Sequence, residues 1–312
     1  MPVAQLPIVD PTSPIVPGIL AERARHGPPA LDQWEDPELR VLYDFCLMPY
    51  PCEQATAPRA RSVAWLIASF ARMDVAAQGQ ALVHRLTALL SPQCTVWGIK
   101  KAPQIDDLWW EFYFYRRPHV PADLSLDKLR PAFAPMAIDS FPPPDVAWTF
   151  FSLEVRPEHL RGERPLHVRL YHEDANLSWA VRGDQLELEN HYRHFVVDGQ
   201  LVELLQAIRS SVHAPKHPKT LSTLMPPQLG GAWRVWLARK RRADTVYFQR
   251  VTGPQALWMM RKHGWPVDWC DQAEALLPWM QHVRFDLGVN FQRAATGDPP
   301  LQFGKTGVYA TF

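Results

Sequence analysis

The sequence contains little cysteine and little glycine. Only four cysteines and 15 glycines occur among its 312 residues. Cys46, Cys52, Cys94 and Cys270 show neither the spacing of paired metal ligands nor the density of a disulfide framework, so we expect reduced, mostly buried thiols and a cytoplasmic protein. The scarce glycines leave little material for phosphate-binding loops. The motifs G-x-x-x-x-G-K-[ST], G-x-G-x-x-G, G-x-S-x-G and H-E-x-x-H are all missing.

The chain also lacks an excess of charge and a long apolar run. Its 33 basic and 32 acidic residues give a net charge of +1, so no overall field attracts nucleic acid or an anionic membrane. The least interrupted apolar run, 63–71, is far shorter than the ~20 residues that span a bilayer. Residues 1–17 carry no Lys or Arg and are broken by Pro and Asp, so no signal peptide is expected. We therefore expect a soluble protein with neither nucleic-acid nor membrane partners.

Proline and tryptophan are abundant instead, with 31 and 13 residues. Proline is at roughly twice its usual share, and much of it lies between the periodic segments. Residues 1–30 are proline-rich and aperiodic, so we predict an N-terminal arm there and a single domain over 31–312. Residues 36–45 are predicted to form a short helix at the start of that domain.

Several predicted strands alternate polar, often basic or tyrosine, residues with apolar ones. In 166–172, Arg169 and Tyr171 share a face, because strand side chains alternate with period two. The same alternation runs through three later segments. Their polar faces consist of Glu187, Glu189, His191 and Arg193; of Arg284, Asp286 and Asn290; and of Lys305 and Tyr309. Such strands occur in antiparallel sheets with one wet face or in barrels with a polar lumen.

The order of predicted elements favours the barrel. About nine or ten strands alternate with roughly six helices, often as helix pairs between strand pairs, and the order αββα recurs loosely. Single-helix crossovers between strands are few, which argues against a doubly wound parallel sheet. We therefore predict an α+β fold, an antiparallel β-barrel of about ten strands surrounded by helices in αββα units.

A short motif offers one hypothesis about function. His194-Phe-Val-Val-Asp198-Gly199 resembles the HxxxDG pattern of CoA-dependent acyltransferases and peptide condensation domains. That resemblance implies that His194 is the general base, a role that suits an imidazole near neutral pKa, and that Asp198 orients the loop. The competing interpretation is a strand end followed by a helix that Asp198 caps.

A second resemblance covers about residues 58–312 and rests on organisation. Chain length, strand count, helix-pair spacing, the aromatic strand 109–115 and the basic and tyrosine alternation resemble the ABBA-type aromatic prenyltransferases. The resemblance implies a ten-stranded antiparallel barrel that transfers a prenyl group from a prenyl diphosphate to an aromatic or peptide acceptor. No cofactor is required by it, and Mg²⁺ is optional.

The same resemblance implies roles for individual residues. Family members bind the diphosphate through Arg and Lys, and Tyr residues screen the allylic cation. By strand position, the diphosphate ligands expected here are Lys100, Arg169, Arg193 and Lys305. The expected tyrosine screen consists of Tyr113, Tyr171, Tyr247 and Tyr309. Glu111 shares a face with Tyr113 and is the expected acceptor-binding carboxylate or base. A non-catalytic small-molecule-binding or accessory protein of a biosynthetic pathway is the third hypothesis.

Overall fold

The computed structural model describes residues 41–51, 60–140, 142–143, 146–183 and 185–312. The predicted arm, residues 1–30, lies outside the described residues. Among the described residues, no helix is both long and apolar enough to cross a membrane.

The described residues form twelve strands and eight α-helices. The strands are β1 Val41–Tyr43, β2 Pro49–Pro51, β3 Val96–Lys101, β4 Leu108–Tyr115, β5 Phe150–Val155, β6 Val168–His172, β7 Leu177–Arg182, β8 Gln185–Val196, β9 Arg234–Arg239, β10 Asp244–Thr252, β11 Arg284–Arg293 and β12 Leu301–Thr311. The helices are α1 Val63–Arg72, α2 Ala76–Leu90, α3 Leu126–Phe133, α4 Pro157–Leu160, α5 Val197–Arg209, α6 Thr220–Leu224, α7 Gly253–Lys262 and α8 Val267–Leu276.

Strands β3 to β12 form a closed antiparallel barrel. Each strand pairs with the next in sequence, and β12 pairs with β3 to close the ring. Closure leaves no free strand edge, so every barrel strand has a partner on both sides. The predicted α+β barrel with about ten strands is confirmed.

The αββα order is present around most of the barrel. Helix pairs precede the strand pairs β3–β4, β9–β10 and β11–β12. Strand β6 is followed directly by β7 and β7 by β8, without an intervening helix in this part of the described chain. The helices therefore surround the barrel unevenly, with the fewest around β6–β8.

The hydrophobic core lies between the helices and the outer face of the barrel. Trp65 of α1 stacks on Phe285 of β11 with ring centroids 4.3 Å apart, and Phe70 packs on Trp110 of β4 at 4.5 Å. All four side chains are fully buried. Because the apolar side of each strand faces the helices, the polar side is left to line the lumen.

One end of the barrel is covered by the hairpin β1–β2, which we call the strap (41–51). The side chain of Asp44 accepts the backbone N–H groups of Cys46 and Met48, each at 3.0 Å, and so holds the turn between the two strands. The predicted helix over 36–45 is wrong for its described part, because Val41–Tyr43 is a strand. Its partner, Pro49–Pro51, completes the pairing a few residues downstream.

Candidate functional site

A charge cluster crosses the middle of the lumen: Lys100, Glu111, Glu154, Arg169 and Glu189. Strand register puts Glu111 of β4 opposite Gly98 on one side and Glu154 on the other. Arg169 of β6 faces Ser152 of β5. The period-two alternation of the four neighbouring strands β3 to β6 thus brings Lys100, Glu111, Glu154 and Arg169 to one level, and Glu189 reaches them from β8.

The carboxylate of Glu111 is fully buried and receives four donors. One oxygen accepts Arg169 Nη1 at 2.7 Å and the hydroxyl of Ser152, and the other accepts Tyr113 OH at 2.6 Å and the ammonium of Lys100. Burial alone would raise the pKa of Glu111, but Lys100 and Arg169 outweigh it and hold this pKa well below its usual range. Glu111 is therefore an ionised and fully hydrogen-bonded carboxylate.

The rest of the cluster alternates in sign around Glu111. Arg169 also donates its Nε to Glu189, and Lys100 Nζ lies 3.6 Å from Glu154. Burial raises the pKa of Glu154, yet Lys100 and other nearby cations bring it down to about 2. Each charge has a partner of the opposite sign, so the cluster is preorganised before any ligand arrives.

Two lysines next to the cluster have no carboxylate within ion-pair distance in the described chain. Lys305 of β12 lies 5.8 Å from the ring centroid of Trp109, and Lys240 immediately follows β9. Loss of hydration in the lumen, together with the surrounding cations, lowers the pKa of Lys240 to about 7 and also lowers that of Lys305. These two amino groups are the basic groups near the cluster that an incoming anion would find without a carboxylate partner in the described chain.

Next to the charge cluster, five tyrosines circle the lumen. We call Tyr113, Tyr171, Tyr192, Tyr247 and Tyr309 the tyrosine ring. Neighbouring rings lie 6.1–6.5 Å apart between centroids, in the order 192, 171, 113, 309, 247. Burial raises the pKa of each phenol, so all five are neutral and present their aromatic faces and hydroxyl groups to the lumen.

Glycines on the strands make room for this ring. A Cβ atom on Gly98 would lie 2.4 Å from the ring of Tyr309, and one on Gly288 would lie 2.8 Å from that of Tyr247. No real Cβ contact is that short, so the tyrosines can lie flat on the barrel wall only where the wall is glycine.

Substitution of Gly98 by alanine is therefore expected to destabilise the fold by about 1–3 kcal/mol, because Tyr309 must leave its position. The matched control is Gly231→Ala, whose new Cβ would meet nothing nearer than 3.9 Å and which we expect to leave stability unchanged or slightly raised. Urea denaturation of both variants checks the prediction. Equal stability of the two variants would show that Tyr309 does not need this space.

One cavity opens next to the charge cluster, and another opens next to the tyrosine ring. The first, of about 360 Å³, is the charged cavity. It is lined by Glu111, Arg169, Lys305, Arg156, Arg164 and Arg182, among others. The second, of about 90 Å³, is the aromatic pocket under the strap. Besides the tyrosine ring, its walls include Phe45, Phe150, Trp236 and Asp286.

The structure brings eight of the nine predicted site residues together. Lys100, Glu111, Arg169 and Lys305 meet at the charge cluster or beside it, and the four predicted tyrosines all belong to the tyrosine ring. The predicted lumen position of Arg193 is wrong, because its side chain is exposed on the outer face, 5.2 Å from the ring of Phe195.

A β-bulge explains this error. Ser178 pairs with Asn190 and Trp179 with Leu188, so Glu189 is an extra residue in β8. Glu189 and Asn190 both face the lumen, and the alternation is inverted beyond them. The inversion turns Arg193 outward and brings Tyr192, predicted on the apolar face, into the tyrosine ring.

Other lumen residues also follow from patterns in the sequence. Glu154 is two residues from Ser152 and four from Phe150, which places all three on one face of β5. Glycines inside otherwise good strands, such as Gly98 and Gly288, mark places where another group approaches the backbone closely. Lys240 lies two residues after Ala238 and four after Trp236, so it is expected on the same, lumen-facing side as these residues of β9.

The HxxxDG motif lies at the end of β8, near the aromatic pocket. The ring of His194 packs against that of Trp236 at 4.6 Å, and burial together with Arg234 lowers its pKa. Asp198 is exposed, and its side chain makes no hydrogen bond to the part of the chain that the structure describes. Neither the predicted helix cap nor the loop-orienting contact of Asp198 is formed.

No protein-family model matches the sequence, and no curated protein is significantly similar to it. Among the described residues, no group of three or more His, Cys, Asp or Glu side chains is arranged to hold a metal ion.

Proposed function

We propose that this protein transfers a prenyl group from an allylic diphosphate to an aromatic or other nucleophilic acceptor, a small molecule or a peptide. The observation that carries the proposal is the position of the tyrosine ring. It lies in the lumen of a closed barrel between the charged cavity, which Lys305 lines, and a pocket with aromatic walls. This arrangement suits a molecule with an anionic head and an unsaturated hydrocarbon tail.

The diphosphate would bind in the charged cavity. Lys305 and Arg169 line this cavity, and Lys305 has no carboxylate partner among the described residues. Lys100 lies close enough to lower the pKa of both Lys240 and Lys305. A diphosphate forms several charge-assisted hydrogen bonds with such groups. Because the pKa of Lys240 is lowered to about 7, anion binding would restore its charge and take up a proton near neutral pH.

The prenyl chain would extend from the diphosphate into the tyrosine ring. As the bond between the allylic carbon and the diphosphate oxygen breaks, its electron pair leaves with the diphosphate and positive charge grows on the chain. Aromatic faces stabilise such a cation by ~0.5–2 kcal/mol each. The closed wall of the barrel keeps water away from it.

Glu111, predicted as an acceptor-binding carboxylate or base, fits a different role better. Its four donors leave no free lone pair for an acceptor, and its lowered pKa makes it a weak base. We propose that it instead holds Lys100 and Arg169 at the level where the diphosphate binds.

A second candidate function is non-catalytic binding of a hydrophobic small molecule. The observation that favours it is the neutralisation of Lys100 and Arg169 by Glu111 and Glu189, which reduces the positive charge available to a diphosphate. Both functions use the same lumen. They differ in that only prenyl transfer converts the bound molecule into products.

A thermal-unfolding screen tests ligand binding. We expect one of dimethylallyl, geranyl and farnesyl diphosphate, at about 100 times its Kd, to stabilise the fold by ~2.7 kcal/mol. The effect should exceed that of pyrophosphate, because the chain packs on the tyrosine ring. Lys305→Gln should weaken it, and the exposed control Lys216→Gln should not.

The screen includes Mg²⁺, acyl-CoA and the matching prenyl alcohol. Stabilisation by acyl-CoA alone would favour the motif at His194. Equal stabilisation by the alcohol and the diphosphate would favour non-catalytic binding, and no response to any prenyl diphosphate would contradict the proposal.

A further inference from the structure

Asp286 is a buried carboxyl group in the wall of the aromatic pocket with an unused oxygen. It belongs to β11, lies opposite Tyr309 of β12 and is 5% exposed. One oxygen accepts the backbone N–H of Arg250 at 3.0 Å. The other has no hydrogen-bond partner in the described part of the protein, and the residue lines the pocket itself.

The other titratable side chains around this pocket are already engaged or less suited. Glu173 accepts Arg117 Nη2 at 2.6 Å, and His172 Nδ1 accepts the N–H of Ala175 at 3.2 Å. The thiol of Cys46 has its pKa raised by burial and by nearby carboxylates. Of the two carboxyl groups that line the pocket in the described chain, Asp286 is thus the one without a cation within ion-pair distance.

The surroundings of Asp286 are built to keep it in place. Strand β10 is bulged between Phe248 and Val251, and Arg250 within the bulge has a φ of 62°, a region that a non-glycine residue rarely adopts. This conformation aims the Arg250 backbone N–H at Asp286, while its guanidinium pairs with Asp44 of the strap at 2.8 Å. Bulges and strained residues of this kind concentrate at functional sites.

Burial and the neighbouring charge of Asp44 raise the pKa of Asp286 well above its ordinary value. A carboxyl group with a raised pKa accepts a proton more readily than Glu111 does, and it does so on the opposite side of the tyrosine ring from the lysines.

We propose that Asp286 contacts the acceptor, and that the acceptor is an aromatic molecule or side chain carrying an N–H or O–H group. This inference rests on the proposed function. The acceptor would occupy the aromatic pocket with its N–H or O–H donated to the free oxygen of Asp286. As the nitrogen or oxygen of that group bonds to the allylic carbon and the diphosphate leaves with its electron pair, the N–H or O–H proton passes to Asp286, which accepts it as the ionised carboxylate.

Phe45 of the strap limits the room for such an acceptor. Its ring lies 4.7 Å from that of Tyr113 and 5.1 Å from that of Tyr309. The pocket of about 90 Å³ is smaller than an engineered cavity of about 150 Å³ that takes up benzene. We therefore expect a ring-bearing acceptor to displace Phe45, and Phe45→Ala provides a protein in which the pocket is already enlarged.

The test compares indole with N-methylindole, which lacks the N–H donor. Their dissociation constants are measured by calorimetry for the Phe45→Ala protein and for the same protein with Asp286→Asn. Asparagine keeps the shape and still accepts the Arg250 N–H, but it presents an NH₂ group to the pocket. We expect indole to bind about tenfold more tightly than N-methylindole, and the Asp286→Asn change to abolish this preference.

Further measurements distinguish failure of the role proposed for Asp286 from failure of the proposed prenyl transfer. Stabilisation by the prenyl diphosphate should be the same with and without Asp286→Asn, because the donor binds beyond the tyrosine ring. The exposed control Asp139→Asn should keep the indole preference. A preference retained in Asp286→Asn, or absent from the protein with Asp286 intact, would overturn the inference. Lack of any prenyl diphosphate binding in the wild type would instead contradict the proposed function.

Discussion

Replacement of Arg169 by alanine is expected to lower the free energy of unfolding by about 3–5 kcal/mol, because it leaves the buried carboxylate of Glu111 without one of its two cations. Arg169 also pairs with Glu189, which would lose its partner as well. Chemical denaturation at neutral pH measures the loss. The same variant should bind prenyl diphosphate more weakly, since the guanidinium lines the charged cavity.

The matched control is Arg193→Ala. Arg193 is also an arginine of a barrel strand, but it is exposed on the outer face, so we expect its removal to change stability by about 0.5 kcal/mol or less. Adding Glu111→Gln to Arg169→Ala should recover part of the lost stability, because the unpaired buried charge is gone. Equal effects of the two arginine variants, or no coupling between Arg169 and Glu111, would contradict the structure of the charge cluster.

Acid is expected to destabilise the protein through Glu154. Its pKa of about 2 in the folded state lies below the ordinary value of 4.5, so the folded state binds its proton less readily than the unfolded chain. The contribution to stability, about 3 kcal/mol at ~1.4 kcal/mol per pH unit, is present above pH 4.5 and is lost as the pH falls towards 2. Glu111, whose pKa is also lowered, adds to the same loss.

Urea denaturation at a series of pH values between 7 and 2 measures this effect in the wild type and in Glu154→Gln. The variant should lack the contribution of Glu154 at neutral pH and show a shallower dependence on pH. Glu187→Gln is the control, because Glu187 forms an exposed ion pair with Arg182, worth ~1 kcal/mol or less. An identical pH dependence in wild type and Glu154→Gln would show that Glu154 is not held ionised by the cluster.

The sequence was sufficient to predict the barrel and most of its lumen. Strands β6 and β12 each expose a basic residue and a tyrosine on one face, Arg169 with Tyr171 and Lys305 with Tyr309. Both strands alternate regularly over these residues, so all four side chains line the lumen. Where a strand is regular over the residues concerned, its polar face and its lumen face are the same.

Alternation in the sequence did not predict which side chains face the lumen where that depends on how two strands pair. The extra residue in β8 depends on how β7 pairs with β8. The sequence of 185–195 alone does not indicate that bulge. The same limitation applies to the strap, where the strand Val41–Tyr43 exists because it pairs with Pro49–Pro51. Helix propensity over ten residues cannot detect a partner that lies outside them.

The charge cluster escaped prediction for a different reason. The sequence indicated that Glu111, Lys100 and Arg169 share a lumen, but not that Glu111 would accept hydrogen bonds from both cations. That outcome depends on the level at which three different strands place their side chains, which is a property of barrel closure. It changes the expected role of Glu111 from acceptor binding to the positioning of the cations.

Turnover tests the central claim most directly. The protein is incubated with the prenyl diphosphate that stabilises it best and with indole or phenol, and pyrophosphate and prenylated product are quantified by mass spectrometry. We expect equal amounts of the two products in the wild type and in Lys216→Gln, and strongly reduced amounts in Lys305→Gln. A diphosphate that binds tightly but is recovered unchanged with every acceptor tried would contradict prenyl transfer and leave a binding protein.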